Sequence, residues 1–119
     1  MVKKILIVED DMILSMVNKR YVELLGHKVV QSVRTGLAAI EAVRKHNPDT
    51  ILMDIRIEGE MDGIEAMEEI RKFSNVEVIY LTGNSEAITK TRAEQTNMLG
   101  FCVKPISIDD LKTILGEFK

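Results

Sequence analysis

The sequence predicts an α/β fold: a doubly wound, five-stranded parallel sheet covered by helices on both faces. Three observations predict it. Apolar runs of strand length alternate with helix-period segments five times along 119 residues. The runs Ile5-Leu6-Ile7-Val8 and Ile51-Leu52-Met53 are continuously apolar, as strands buried on both faces must be. Strand–helix alternation needs crossover connections, and right-handed crossovers lay successive strands parallel.

The elements follow in order. Ile5 to Val8 form the first strand, closed by Glu9-Asp10-Asp11. Met12 to Leu25 change to a helical period. Ile13, Val17, Tyr21 and Leu24 are expected inside with Met16 and Leu25, and Asn18, Lys19 and Glu23 outside. Asp10 or Asp11 caps this helix and Gly26 ends it. His27 to Val33 read as the second strand. Thr35-Gly36 opens a helix carrying Leu37, Ile40 and Val43, and Asn47-Pro48 stops it. Thr50 to Asp54 is the third strand, and 55–61 a loop. Asp62-Gly63-Ile64-Glu65 resembles a capping box before a helix with Ile64, Met67 and Ile70. Val76 to Leu81 is the fourth strand. A thinly apolar helix (Ala87, Ile88, Thr91, Met98) starts at Ser85 and runs to about Thr96, with Asn97 as its left-handed end. Phe101 to Val103 is a short fifth strand. Ser107 opens the last helix, whose core side is Leu111, Ile114, Leu115 and Phe118.

Composition narrows the function. Hydrophobic residues are 45%, charged residues 29% and the net charge is −3, so there is no basic footprint for nucleic acid. No apolar run can span a bilayer, and Glu9-Asp10-Asp11 cuts the first one too short for a signal peptide. With Cys102 alone there is no internal disulfide, and a cytoplasmic protein is expected. His27 and His46 are expected in solvent, and Cys102 as a buried small hydrophobe. The loop acids Glu58, Glu60 and Asp62 are expected to be solvated.

The chemistry gathers at one edge. In open parallel sheets ligands bind beyond the carboxyl ends of the strands. The groups just beyond strands one, three, four and five are Glu9-Asp10, Asp54, Thr82 and Lys104. A buried carboxylate must be paired, metal-bound or protonated. Three acids together repel unless a cation joins them, and hard oxygen donors suit Mg²⁺ or Mn²⁺. Lys104 and Thr82 suit a phosphate, as a point charge and a hydroxyl donor. Together they describe a phosphoryl-transfer site with Asp54 as nucleophile.

The ordered motifs Ile5-Leu6-Ile7-Val8-Glu9-Asp10-Asp11, Ile51-Leu52-Met53-Asp54, Met61-Asp62-Gly63, Tyr80-Leu81-Thr82-Gly83 and Lys104-Pro105 resemble a CheY-like response-regulator receiver domain of two-component signalling, over essentially the whole chain. The resemblance implies the flavodoxin-like strand order 2-1-3-4-5. It implies one receiver domain over 1–119 with no output domain, either stand-alone or cut from a longer protein. Asp54 would accept a phosphoryl group from a sensor histidine kinase or phosphotransfer protein. Glu9, Asp10, Asp54 and the Arg56 backbone carbonyl would hold the metal. Lys104, before a cis bond to Pro105, would bind a phosphoryl oxygen. Thr82 and Phe101 would switch the face made by the fourth helix, fifth strand and fifth helix. That face would then control a protein target or a homodimer, with no direct contact to nucleic acid or membrane. No substrate is implied beyond the protein's own phosphorylation and dephosphorylation.

The sequence departs from the family pattern after Asp54. The 55–61 loop is one residue longer than the commonest form, and Glu58 stands where proline is frequent. Arg56 and Asn84 occupy the variable positions that tune dephosphorylation in relatives. Three other functions are weaker. An aspartyl-phosphate phosphatase needs an acid two residues after its nucleophile, where this chain has Arg56. A pseudo-receiver would not keep all five site residues. A nucleotide or flavin binder needs a glycine-rich phosphate loop, and none follows a strand.

Overall fold

A computed structural model describes residues 2–83 and 87–116, with no side-chain account of 87–89. The expectations placed on Asn84, Ser85, Phe118 and the Ala87 and Ile88 side chains lie outside the described residues. The elements are β1 (Lys4–Val8), α1 (Met12–Leu24), β2 (Lys28–Val33), α2 (Gly36–His46), β3 (Thr50–Asp54), α3 (Gly63–Ile70), β4 (Glu77–Thr82), α4 (Ala87–Glu94), β5 (Met98–Val103) and α5 (Ile108–Leu115). All strand pairs are parallel, in the order β2-β1-β3-β4-β5.

The central strands alternate between two cores, which is why their sequences are apolar throughout. Leu6, Val8, Ile51, Met53, Val78 and Tyr80 face α2 and α3. They pack with Ala39, Val43, Ile64, Met67 and Ile70. Ile5, Ile7, Leu52, Ile79 and Leu81 face α1 and α5, against Val22, Leu25, Leu111 and Leu115. Local signals set the helix ends. Asp11 caps α1, accepting from the Ile13 and Leu14 amides. Thr35 caps α2, and Asp62 with Glu65 forms a complete capping box on α3. Ser107 caps α5. Asn47 and Asn97 take left-handed backbone (φ 46° and 58°), which asparagine tolerates.

Several expectations are corrected. On α1, Ile13 (72% exposed), Met16 (67%) and Leu24 (54%) face solvent, and Val17 is also exposed. Asn18, expected outside, is buried with Val22. α1 therefore rests on the sheet by a narrow row, and several of its apolar side chains look outward. Leu37 is exposed as well, and α2 packs through Ala39, Ala42 and Val43. β5 is longer than expected: Met98 belongs to it, paired with Val78, rather than to α4. Cys102 is half-buried.

His27 is buried, not solvated. Its Nδ1 accepts the Lys3 amide at 3.0 Å, so Nε2 carries the proton and donates to the Gly116 carbonyl at 2.8 Å. His46 is half-buried and bonds Gln31 at 3.0 Å.

Candidate functional site

The parallel register brings the ends of β1 and β3 side by side, with Val8 opposite Met53. Glu9 and Asp54 leave these ends almost fully buried, with Asp10 half-buried beside them. Carboxylate oxygens of all three lie within 4.8 Å of one another. β4 ends at buried Thr82, opposite Val103 on β5, and the Lys104 amide donates to the Thr82 carbonyl at 2.6 Å. Lys104 Nζ reaches Asp54 Oδ2 at 2.9 Å and Glu9 Oε1 at 3.0 Å. The Lys104–Pro105 bond is cis.

Charge shapes this cluster. Burial, then Asp54, raises the Glu9 pKa, and the Asp11 amide and Lys104 only partly offset them. Burial and Glu9 raise Asp10. Burial alone would lower the Lys104 pKa, but its contacts with the Asp54 and Glu9 carboxylates outweigh this and raise it. The Lys104 contact to Glu9 lies off hydrogen-bond direction, so buried Glu9 Oε1 keeps no directed partner. One ammonium thus faces three acids. A hard-oxygen donor set with an orphaned buried oxygen fits a divalent cation held by Glu9, Asp10 and Asp54.

The 55–61 loop starts on the site itself. The Arg56 amide donates to Asp54 Oδ1 at 3.2 Å, and the Arg56 side chain is exposed. Gly63 brings the start of α3 against β3: a Cβ there would collide with the Asp54 carbonyl oxygen and approach Met53 Cγ at 2.8 Å. This glycine supports the site, and in the sequence it stands out only as part of Met61-Asp62-Gly63. Phe101, opposite Tyr80 on β5, is half-buried against the α2/α3-side core. Asp11 serves as the helix cap and lies outside the acidic cluster. Glu58 is exposed, as expected of a solvated loop acid, but it pairs with Arg34 at 2.6 Å. No sequence signal marked Arg34.

A strand-edge acid cluster bridged by lysine, on a 2-1-3-4-5 sheet, is the layout of a phosphorylation-controlled signalling domain. The family model described as response regulator receiver domain matches residues 5–116, and the chain belongs to that family, the receivers of two-component systems. Among relatives, it is 34% identical over 95% of its length to the transcriptional regulatory protein ZraR of Klebsiella oxytoca, spanning 25% of that protein. It is 30% identical over 92% of its length to PdtaR of Mycobacterium tuberculosis, spanning 53% of it. It is 30% identical over 98% of its length to the polar-differentiation response regulator DivK of Brucella ovis, spanning 99% of it.

Among solved structures, the signal receiver domain of a modulated diguanylate cyclase from Desulfovibrio desulfuricans superposes with TM-score 0.88 at 28% identity. That match covers 97% of this chain and 91% of the other. A CheY-like receiver domain protein from Methanospirillum hungatei, at 24% identity, shares the fold with TM-score 0.85, covering 95% and 90%.

Receivers of this family are signalling switches driven by phosphorylation. They generally bind Mg²⁺ at an acidic pocket and interact with histidine kinases or phosphotransfer proteins. Among the described residues no helix is long and apolar enough to cross a membrane.

Proposed function

We propose that this chain is a single receiver domain over 1–119 that takes a phosphoryl group onto Asp54 from a phosphohistidine of a sensor histidine kinase or phosphotransfer protein. The observation that carries the reading is Lys104 bridging buried Asp54 and Glu9 at 2.9 and 3.0 Å. An Asp54 carboxylate oxygen attacks phosphorus, the new O–P bond forms, the N–P bond breaks, and the imidazole leaves with the electron pair. Hydrolysis of the acyl phosphate later returns the carboxylate and inorganic phosphate. Glu9, Asp10 and Asp54, with the Arg56 backbone carbonyl, would hold the Mg²⁺ that neutralises charge on the phosphoryl oxygens. Lys104 passes from the Asp54 carboxylate to a phosphoryl oxygen. Thr82 offers its hydroxyl to the same group, which shifts Phe101 and re-forms the α4-β5-α5 face for a protein target or a second copy. The exposed Met12, Ile13 and Met16 on α1 begin next to Glu9 and Asp10, and offer apolar docking ground for the donor. A cytoplasmic location suits this chemistry and the single unpaired cysteine.

The test is intact mass after incubation with Mg²⁺ and acetyl phosphate. A labile phosphoryl adduct is expected on the wild type and none on Asp54→Asn. A wild type without adduct, with donor and metal present, overturns the reading.

A further inference from the structure

The loop that follows Asp54 is pinned at three places. At its start, the Ile55 amide donates to the Leu81 carbonyl at 3.0 Å and the Arg56 amide to Asp54 Oδ1 at 3.2 Å. At its end, the Gly63 amide donates to the Ile55 carbonyl at 2.7 Å, so the loop closes on itself before α3. Its apex reaches the turn between β2 and α2. There Glu58 forms a parallel backbone bridge with Thr35, and Glu58 Oε1 takes Arg34 Nη2 at 2.6 Å. Close packing continues this seam, since a Cβ on Gly36 would sit 3.0 Å from Met61 Sδ. Glu58 is thus held by both backbone and side chain.

Arg34 also belongs to the site's electrostatics. Its pKa is raised, first by the hydrogen bond to Glu58 and last by the charge of Asp10. Arg34 and Glu9 also line the same 350 Å³ groove beside α1. The guanidinium therefore holds the loop apex from a groove that Glu9 also lines.

We infer that Arg34 is a positioning residue for this site: by holding Glu58 it fixes the path of the 55–61 loop, and with it the Arg56 backbone, against Asp54. The inference rests on the reading of Glu9, Asp10, Asp54 and the Arg56 carbonyl as a cation site. Removing the Arg34 charge near Asp10 would, by electrostatics alone, make the acidic cluster more attractive to a divalent cation. Releasing the loop does the opposite, because a backbone ligand that must be ordered on binding costs conformational entropy. The two roles of Arg34 therefore push Mg²⁺ affinity in opposite directions.

The experiment follows ¹⁵N amide shifts at positions 54 and 56 during Mg²⁺ titration, without phosphoryl donor. It uses the wild type, Arg34→Gln, Glu58→Gln and the charge-reversed double variant Arg34→Glu/Glu58→Arg. Both partners are half-exposed, so these variants fold. Positioning gives a Mg²⁺ dissociation constant about two- to fivefold weaker in each single variant, the scale of an exposed ion pair. It also restores affinity to within about twofold in the double variant. Arg34→Gln binding Mg²⁺ as tightly as wild type, or more tightly, overturns the inference. So does a double variant no better than the singles. A wild type that shows no Mg²⁺-dependent shift at 54 and 56 overturns both the inference and the cation site beneath it. If the Mg²⁺ pattern holds while acetyl phosphate leaves no adduct, Arg34 keeps its role and the phosphoryl reading fails.

Discussion

The two edges of the sheet are built on opposite terms. At the edge where the strands end, Glu9, Asp10 and Asp54 crowd together with Lys104 between two of them, and a buried Glu9 oxygen has no directed partner. At the opposite edge, hydrogen bonds join the chain ends, although buried Thr50 Oγ1 and Arg71 Nε keep no partner. Lys4 donates its amide to Asp49, and His27 ties Lys3 to Gly116. Arg71 donates to the carbonyls of Ser74, Val76 and Thr96, and Asn97 bonds the Asn75 carbonyl. Inside β4, the Thr96 hydroxyl donates to the Ala93 carbonyl, so Tyr80 must be the donor to Thr96, at 2.6 Å. One edge stores unmatched charge for a ligand to neutralise, and the other closes the frame with neutral or singly charged bonds. The difference teaches that reactivity and stability are carried by separate rims of one sheet.

That separation can be broken by substitution. The largest expected effect is Lys104→Ala at the reactive rim. Losing the ammonium paired with Asp54 should slow phosphorylation by acetyl phosphate about 100-fold, the usual cost of removing one preorganised charge-stabilising group. The measurement is the rate at which phosphorylated mass appears. Next comes Arg71→Ala at the quiet rim. Three carbonyls lose a charged donor, so unfolding in urea should show a loss of about 2–3 kcal/mol, with the phosphorylation rate within about twofold of wild type. A large rate change there would mean the rims are coupled. The smallest is Tyr80→Phe, expected to cost about 1 kcal/mol at neutral pH.

Tyr80 also gives a pH signature. Burial pushes its phenol up to about 12 from an ordinary 10.0, so between those values the native state keeps a proton the unfolded chain has lost. Its contribution is intact below pH 10 and is lost as pH rises towards 12. Stability curves of wild type and Tyr80→Phe should converge over that window. A constant gap would contradict the buried-donor assignment.

The sequence made the reactive rim legible because each of its residues follows an apolar run. Ile51-Leu52-Met53 fixes a strand, and the strand's direction carries Asp54 to the same edge as Glu9, Thr82 and Lys104. β3 falls at Thr50–Asp54, as read from its apolar run. The face of α1 was not legible. Helical periodicity groups Ile13, Val17 and Leu24 as readily for a partner as for a core, and hydropathy cannot tell which row meets the sheet. The buried Asn18 row wins because the sheet lies under it. β5 looked short because Gly100 interrupts its apolar run, although backbone pairing with β4 continues through that position. His27 and Arg34 were hidden for another reason. Their partners lie far along the chain, Gly116 for one and Glu58 for the other, and no local pattern announces a bond closed by the fold.

The most direct measurement of the central claim locates the phosphoryl group itself. The protein, loaded from acetyl phosphate with Mg²⁺, is reduced with borohydride, which converts an aspartyl phosphate to homoserine, and is then mapped by peptide mass. The account expects homoserine at position 54 alone. Homoserine at position 10 or 11, 2-amino-5-hydroxypentanoic acid at position 9, or no reduced residue despite a phosphoryl adduct on the intact protein, would contradict it.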